Sequence, residues 1–197
     1  MSGIREEGAD PTGAVRRAYG SDWESYRDLR LRALATDPLA FGSTLAREQA
    51  FDDETWKRRL GRPGDAGSSA TWVALSATGE WIGLVACAAF EGEPHLFAMW
   101  VDPGHRRKGF ASRLLETALG WASVGFPGQR VVLDVNPRQV EAVRLYESRG
   151  FRATGRTTNL EHTPGERVVQ MALDPSRGPE AALGSGRPAG LNSGRQA

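Results

Sequence analysis

LFAMWVDPGHRRKGFASRLL, residues Leu96–Leu115, carries the change from a strand to a helix. The apolar and aromatic run that ends at Val101 is typical of a strand, and the segment from Gly109 onward has the apolar spacing of a helix. Three successive basic residues lie between the two. A helix N-terminus has unpaired N–H groups and a partial positive charge, so this basic turn is suited to bind a pyrophosphate.

The basic turn differs from two common nucleotide-binding loops. Neither GKS nor GKT follows its glycine, which excludes a Walker loop, and the absence of GxGxxG excludes the dinucleotide fingerprint. Arg106, Arg107 and Lys108 would add charge around an anion. Gly109 and Ala111 are small enough to let the backbone approach it closely. A solvated basic turn and a small nucleic-acid patch are the alternative interpretations.

The elements around this stretch alternate along the chain. Two successive hairpin-like turns indicate an antiparallel meander, and a helix between two strands indicates a parallel crossover. The first helix has Ser21 and Glu24 spaced as a capping box. The pattern predicts an α/β (α+β) fold, with a mixed central sheet of six to seven strands and helices on both faces. Strands are predicted over residues 15–19, 71–76, 81–90, 95–101, 130–135, 151–160 and 167–173, and helices over 21–35, 53–60, 109–124 and 139–149.

Composition indicates one folded domain with irregular ends. Of the 197 residues, 40% are hydrophobic and 25% are charged, which is enough for a packed core. Residues 1–12 lack periodicity and are expected to form a flexible N-terminus. Residues 175–197, rich in Gly and Pro, are expected to be a disordered C-terminal tail. The folded domain is therefore predicted over residues 13–174.

Charge and cysteine content exclude several classes of protein. The 25 Lys and Arg residues nearly balance 24 Asp and Glu residues, whereas nucleic-acid-binding domains usually have a basic excess. No apolar run reaches the roughly 18–20 residues of a membrane helix, and no signal-peptide core begins the chain. The single cysteine, Cys87, excludes a disulfide framework and a Cys-rich metal site. We therefore expect a cytoplasmic protein that binds no nucleic acid, no membrane and no metal.

Two motifs together resemble the GCN5-related N-acetyltransferase (GNAT) superfamily. RRKGFA at 106–111, which follows VDP, is similar to the acyl-CoA-binding motif RxxGxA of that superfamily. LDVN at 133–136, followed by LYE and GF within 145–151, is similar to its second strand–helix block. The order of elements also matches over about residues 14–173. The resemblance implies the GNAT fold and an acyltransferase that transfers acetyl from acetyl-CoA to a primary amine in a ternary complex.

The resemblance also implies a role for each matching position. The loop at 106–111 would hold the phosphates of acetyl-CoA, and β-strand backbone around Met99 would pair with the pantetheine arm. Tyr146 would protonate the departing CoA thiolate, a role that suits a neutral phenol. Because the amine would attack the thioester directly, no enzyme nucleophile is needed, and Cys87 is expected to be a core residue. The implied cofactor-binding residues are Met99, Trp100, Val101, Arg106, Arg107, Lys108, Gly109, Phe110, Ala111, Asn136 and Gln139, with Gln139 standing where the superfamily usually has Asn.

The general base and the acceptor contacts are less specifically indicated. His95 falls where some superfamily members place a glutamate that deprotonates the amine through water, and a histidine can take that role. Glu91 and Glu93 are alternative bases, a structural role is the alternative for His95, and many members have no dedicated base. The candidate acceptor contacts are Phe41, Ser43, Thr44, Trp56, Trp100, Glu161 and His162.

The acceptor itself is left open by the sequence. A small-molecule amine is the first hypothesis, and a protein N-terminus or lysine side chain is the second. An acyl-CoA-binding regulatory module without turnover is the alternative outside the enzymes. By analogy with the superfamily, a homodimer is possible.

Overall fold

A mixed seven-stranded sheet organises the described residues of the computed structural model, which are residues 13–61, 69–160 and 162–175. The strands are β1 Ala14–Ala18, β2 Ser69–Leu75, β3 Trp81–Phe90, β4 Glu93–Val101, β5 Val131–Val135, β6 Arg152–Asn159 and β7 Arg167–Leu173. The α-helices are α1 Trp23–Thr36, α2 Leu45–Gln49, α3 Asp53–Leu60, α4 Phe110–Gly125 and α5 Val140–Ser148.

The strand order explains how one sheet is both parallel and antiparallel. The strands lie in the order β1-β2-β3-β4-β5-β7-β6. Strands β4 and β5 are parallel, and every other neighbouring pair is antiparallel. Helix α4 connects the parallel pair, as a parallel crossover requires. The predicted mixed sheet and meander are therefore confirmed.

Helices cover both faces of the sheet, and alternation along β3 separates the two cores. The side chain of Leu84 packs in a cluster with residues of α1 and α3, including Leu29 and Trp56. The next residue, Val85, packs in a second cluster with residues of α4 and α5, including Leu114. Because successive strand residues point to opposite faces, a single strand serves two cores.

The start of α1 differs from the predicted capping box. The helix begins at Trp23, and the carboxylate of Asp22 accepts a hydrogen bond from the backbone N–H of Tyr19 at 2.9 Å. That carboxylate also forms an ion pair with Arg16 at 2.9 Å. The prediction that Ser21 would cap this helix was wrong, because Ser21 lies inside a short 3-10 helix, Gly20–Asp22, and the N-cap position of α1 is Asp22, whose side chain makes no capping hydrogen bond.

A short helix, α2, forms where the sequence predicts only a connection. Its N-cap is Thr44, whose hydroxyl oxygen accepts a hydrogen bond from the Arg47 N–H at 3.2 Å. The helix buries Glu48 completely, and this carboxylate is held by residues of other elements. Residues 1–12 and nearly all of the predicted tail at 175–197 lie outside the described residues.

Candidate active site

The site begins where the two parallel strands separate. His95 pairs with Val132 and Leu96 with Leu133, and the pairing of β4 with β5 ends there. Residues 97–101 of β4 continue beyond this last partner. Because strand edges carry unpaired N–H and C=O groups, the opening presents backbone that an extended ligand can pair with.

A bulge in β4 lies beside the opening. Leu84 and Ala86 of β3 pair with Trp100 and Phe97 of β4, so β4 has one residue more than β3 over this interval. Within it Ala98 has a φ of +56°, which non-glycine residues rarely adopt. Bulges of this kind are frequent beside active sites, where they redirect the strand.

A small cavity lies inside the opening. It is lined by residues of both parallel strands together with Tyr146 and Gln139 of the α5 segment. Met99 and Gln139, two of the predicted cofactor contacts, therefore lie on its wall. A narrow space between strand edge and helix fits the pantetheine arm of acetyl-CoA, which is slender and can pair with backbone.

The loop that precedes α4 has a run of backbone donors. Gly109 immediately precedes the helix with a φ of +83°, and Arg107 has a φ of +64°. Within the described ranges, the N–H groups of residues 107–112 donate to no protein acceptor. Successive N–H groups in a turn of this conformation form a concave anion site, which the helix dipole of α4 strengthens. The loop thus fits a pyrophosphate.

The three basic side chains of this loop differ in their contacts and exposure. Arg106 donates from Nε to the carbonyl of Val101 at 2.9 Å and from Nη2 to Asp37 at 2.5 Å. Lys108 donates to the carbonyl of Gly104 at 3.0 Å. Arg107 is 85% exposed. The backbone N–H groups of this loop are therefore free to bind an anion, whereas Arg106 is engaged in bracing the loop.

Asp37 is a functional candidate that the sequence analysis missed. Its Oδ2 atom accepts hydrogen bonds from the Trp100 indole at 2.6 Å and from Arg106 at 2.5 Å. It thereby joins the end of α1 to β4 and, through Arg106, to the loop at residues 107–112, which we name the phosphate loop. No local pattern could reveal this role, because its partners are 63 and 69 residues away along the chain.

Tyr146 reaches the small cavity from α5. It is buried, and its ring lies 5.8 Å from that of Phe151. Burial raises the pKa of its phenol well above the ordinary value, so the hydroxyl is protonated at neutral pH. Among the described residues, no group hydrogen-bonds to this hydroxyl. A proton donor of this kind fits the neutralisation of a thiolate.

His95 lies where the small cavity meets a wider cleft. Its Nε2 atom is 3.2 Å from Oδ2 of Asp134, and its ring stands edge-on to Phe90 with 5.9 Å between centroids. The carboxylate of Asp134 thus lies beside the imidazole. The alternative bases are less suited, because Glu93 pairs with Arg130 and Glu91 is exposed in a turn.

The wider cleft has a volume of about 450 Å³ and continues from the small cavity. Residues 96–98 and Asp134 line both spaces, so a molecule in the cleft would approach the thioester end of a cofactor in the cavity. Of the predicted acceptor contacts, Phe41 and Ser43 line the cleft. His162 instead supports it, with Nε2 at 3.1 Å from the carbonyl of Phe41.

Other predicted contacts lie elsewhere. Trp56 is buried in the core between α1 and α3, and Thr44 caps α2. Asn136 is buried and lines the wide cleft, where its amide donates to Glu166 at 3.0 Å and its oxygen accepts from the Arg138 N–H at 3.0 Å. Glu161 lies outside the described residues.

Cys87 is a core residue. It is fully buried in β3, and burial raises the pKa of its thiol to about 12. A thiol that stays protonated at neutral pH is a poor nucleophile. Direct attack by the acceptor, without a covalent enzyme intermediate, is consistent with this placement.

The basic wall of the cleft was also missed by sequence analysis. Arg30 of α1 and Arg59 of α3 converge on the carboxylate of Glu48 in α2, with distances of 2.8 and 3.5 Å. Arg47, the residue before Glu48 in α2, also lines the cleft. Three helices supply these residues, so no sequence spacing could indicate that they meet.

Comparison with known proteins establishes the family. The family model described as "Acetyltransferase (GNAT) family" matches residues 23–151, which is more than half of the chain. The chain belongs to this family, and the resemblance identified in its two motifs is confirmed.

Two curated relatives match shorter stretches. Over 63 residues the chain is 41% identical to human N-acetyltransferase 8, which covers 32% of this chain and 27% of that protein. Over 86 residues it is 35% identical to the peptidyl-lysine N-acetyltransferase YjaB of Salmonella typhimurium, which covers 44% of this chain and 52% of that protein. The chain thus matches between about a quarter and half of the length of these relatives.

A solved structure has the same fold over most of the chain. It is that of a GNAT superfamily phosphinothricin acetyltransferase from Sinorhizobium meliloti in complex with AcCoA. The TM-score is 0.66 at 18% identity, covering 83% of this chain and 88% of that one. Among the described residues of this chain, no helix has the length and apolarity that crossing a membrane requires.

Proposed function

We propose that the protein transfers the acetyl group of acetyl-CoA to a primary amine of a small molecule by direct attack in a ternary complex. The observation that carries this proposal is the junction of the two spaces, where Tyr146 faces the small cavity and His95 faces the cleft. Membership of the acetyltransferase family and the free donors of the phosphate loop support it.

Acetyl-CoA would supply an activated acetyl group as a thioester. The N–H groups of residues 107–112 would bind its pyrophosphate, and the unpaired edge of β4 around Met99 would pair with the pantetheine arm. Gln139 can donate or accept a hydrogen bond on the opposite wall. These contacts fix the thioester against Tyr146, and such positioning lowers the barrier to attack.

Two proton transfers accompany this attack, and residues of the chain would carry out both. A C–N bond forms and a C–S bond breaks, so the nitrogen loses one proton and the sulfur gains one. His95, with Nε2 directed at Asp134, would use Nδ1 to take the proton from the amine. Tyr146 would donate its phenolic proton to the departing thiolate. We expect His95→Gln to lower kcat/KM about a hundredfold with little change in the Kd of acetyl-CoA. Unchanged kcat/KM would contradict the role of His95.

The two alternatives to this proposal are a protein acceptor and a regulatory module without turnover. The match to a peptidyl-lysine N-acetyltransferase favours a protein acceptor as the second candidate. The cleft of about 450 Å³ favours a small acceptor, because it is of the size of small-molecule pockets. A regulatory module that binds acyl-CoA without turnover has no need of a buried phenol in the cavity, so the placement of Tyr146 disfavours it.

The release of CoA thiol from acetyl-CoA tests the proposal. The purified protein would be assayed with amino acids, aminoglycosides, polyamines, other amines and peptides with free N-termini or lysines. We expect turnover with a small amine. Turnover confined to peptides would support the protein acceptor, and acetyl-CoA binding without any turnover would support the regulatory module. No binding of acetyl-CoA would contradict the proposed function.

A further inference from the structure

The cleft beside His95 has one strongly basic wall. The wall consists of Arg30, Arg47 and Arg59, and the carboxylate of Glu48 lies among them. Three positive charges therefore face one negative charge. A cleft that only had to admit a cationic amine would not be expected to have this excess, because like charges repel an ammonium group.

Glu48 does not neutralise this wall. It accepts two hydrogen bonds from Arg30, at 2.8 and 3.0 Å, and lies 3.5 Å from Arg59. Burial raises the pKa of Glu48, but the hydrogen bonds and charge of Arg30 outweigh burial and hold that pKa below the usual range. The hydroxyl of Ser43 also donates to it. The carboxylate is thus ionised and its acceptor sites are taken, which leaves the wall with a net positive charge.

Two of the arginines have unused donors. The side chain of Arg30 is 5% exposed, yet its Nη1 is buried without a hydrogen-bond partner in the described structure. A buried donor without a partner destabilises a protein unless a ligand satisfies it. Arg47 is exposed at the cleft and has no ion-pair partner among the described residues. Arg47 can therefore bind an anion that enters the cleft, while the buried Arg30 adds its charge to the wall.

The other surfaces of the cleft define the rest of the ligand. The junction with the small cavity has His95 and Asp134, where the reacting amine belongs under the proposed function. Apolar side chains also line the cleft, and they include Phe41, Phe51 and Phe97. The cleft therefore combines a proton acceptor, apolar side chains and a cationic wall.

We infer that the acceptor is an amine that also bears a carboxylate and an apolar body, as in an apolar amino acid. The carboxylate binds Arg47 and Arg59, and the charge of Arg30 adds to the attraction, while the amine lies at His95. This inference rests on the proposed function for the position of the amine. The anion site itself depends only on the basic wall, so it can be tested without turnover.

Matched probes that lack an amine test the anion site. The full-length protein, saturated with CoA so that the phosphate loop is filled, would be titrated with 3-phenylpropionate and with 3-phenylpropan-1-ol by ligand-observed NMR. The two probes share the apolar body and differ in the charged group. We expect the carboxylate to bind about tenfold more tightly or better, which is the usual size of one charge-assisted contact. Added salt should reduce this preference.

Three variants assign the preference to the wall. Arg47→Gln and Arg59→Gln should each weaken binding of 3-phenylpropionate several-fold and leave binding of the alcohol unchanged. The matched control is Arg58→Gln, since Arg58 lies beside Arg59 on α3 but contacts Thr55 on the exposed face. Arg58→Gln should change the binding of neither 3-phenylpropionate nor the alcohol. These variants spare Arg30, whose removal would leave the buried charge of Glu48 without its main partner.

The outcomes separate this inference from the proposed function. Equal affinity for the two probes, no binding of either, or equal loss of binding in Arg58→Gln would overturn the anion site. Failure of the protein to bind CoA in the saturation step would contradict the proposed function instead. Among true substrates, a higher kcat/KM for L-phenylalanine than for 2-phenylethylamine agrees with the inference, and the reverse order would overturn it.

Discussion

The two regions that we propose to bind anions are built in different ways. The phosphate loop at 107–112 uses backbone N–H groups from one continuous segment, braced by Arg106 and Asp37. The basic wall of the cleft uses side chains from three separate helices around Glu48. The first is suited to a pyrophosphate, which accepts many hydrogen bonds, and the second to a single carboxylate.

Because the two regions are built differently, we expect them to respond differently to mutation. A backbone site depends on the conformation of a few residues, so one substitution can disrupt it entirely. A side-chain site loses one contact at a time, so each substitution costs less. The following predictions test this contrast and the chemistry that lies between the two regions.

Gly109→Val should have the largest effect. The φ of +83° at Gly109 disfavours any β-branched residue, although a Cβ there would meet no atom within 4 Å. We expect the affinity for acetyl-CoA to fall about a thousandfold, because several charge-assisted hydrogen bonds would be lost together. Calorimetric titration with acetyl-CoA measures the change.

Gly128→Val is the matched control for this substitution. Gly128 has a φ of +76° and open space at its Cβ, and it lies beyond the opposite end of α4. Both variants should lose stability by about 1–3 kcal/mol from backbone strain. Only Gly109→Val should lose acetyl-CoA affinity, and an equal loss in both would show that strain rather than the loop is responsible.

Tyr146→Phe should lower kcat about a hundredfold while the Kd of acetyl-CoA changes little, because only the proton donor is removed. Burial raises the pKa of Tyr146, so ionisation of this phenol should not reduce kcat at any pH up to about 10. Tyr26→Phe, at a buried tyrosine of the opposite core, is the control. Retention of full turnover in Tyr146→Phe would exclude the acid role.

Asp37→Ala should have a moderate effect through Arg106 and Trp100. Loss of the shared acceptor frees Arg106 to move, so we expect the KM for acetyl-CoA to rise about threefold to tenfold with kcat nearly unchanged. Asp37→Asn keeps an acceptor and should recover part of the loss. A fall in kcat without a change in KM would show that Asp37 does not act through the phosphate loop.

Cys87→Ala should have the smallest effect on activity. Turnover should be unchanged, because the thiol forms no covalent intermediate, and the smaller side chain should cost about 1 kcal/mol of stability. Loss of turnover would contradict direct attack.

The same residue gives a prediction for alkaline pH. Burial raises the pKa of Cys87 from an ordinary value near 9 to about 12. Its contribution to stability is therefore complete below pH 9 and is lost as the pH rises toward 12, because only the unfolded chain releases the proton. Denaturant unfolding between pH 8 and 10 should show a steeper loss for the wild type than for Cys87→Ala, and equal slopes would contradict this.

The sequence predicts local features of the site far better than assembled ones. Gly109 and the basic turn could be interpreted from neighbouring residues, because helix start and loop conformation depend on a short segment. The succession of strands along the chain was predictable for the same reason, since periodicity and turns are local signals. The fold and the family are confirmed, whereas the roles of Tyr146 and His95 stay predictions.

The features that were missed depend on residues far apart in the chain. Asp37 meets Arg106, and Arg30 meets Glu48, only after α1 and α2 pack on the sheet. Asp134 lies in β5, two residues after Val132. The parallel pairing of β5 with β4 places it beside His95. A single sequence holds no periodic signal for such pairs, so the basic wall of the cleft could be found only in three dimensions.

A crystal structure of the protein with bound CoA tests the central claim most directly. We predict that pyrophosphate oxygens accept hydrogen bonds from the N–H groups of residues 107–112, that the pantetheine arm lies between β4 and β5, and that the sulfur is within hydrogen-bonding distance of the Tyr146 hydroxyl. CoA bound away from this loop, or a sulfur remote from Tyr146, would contradict the account.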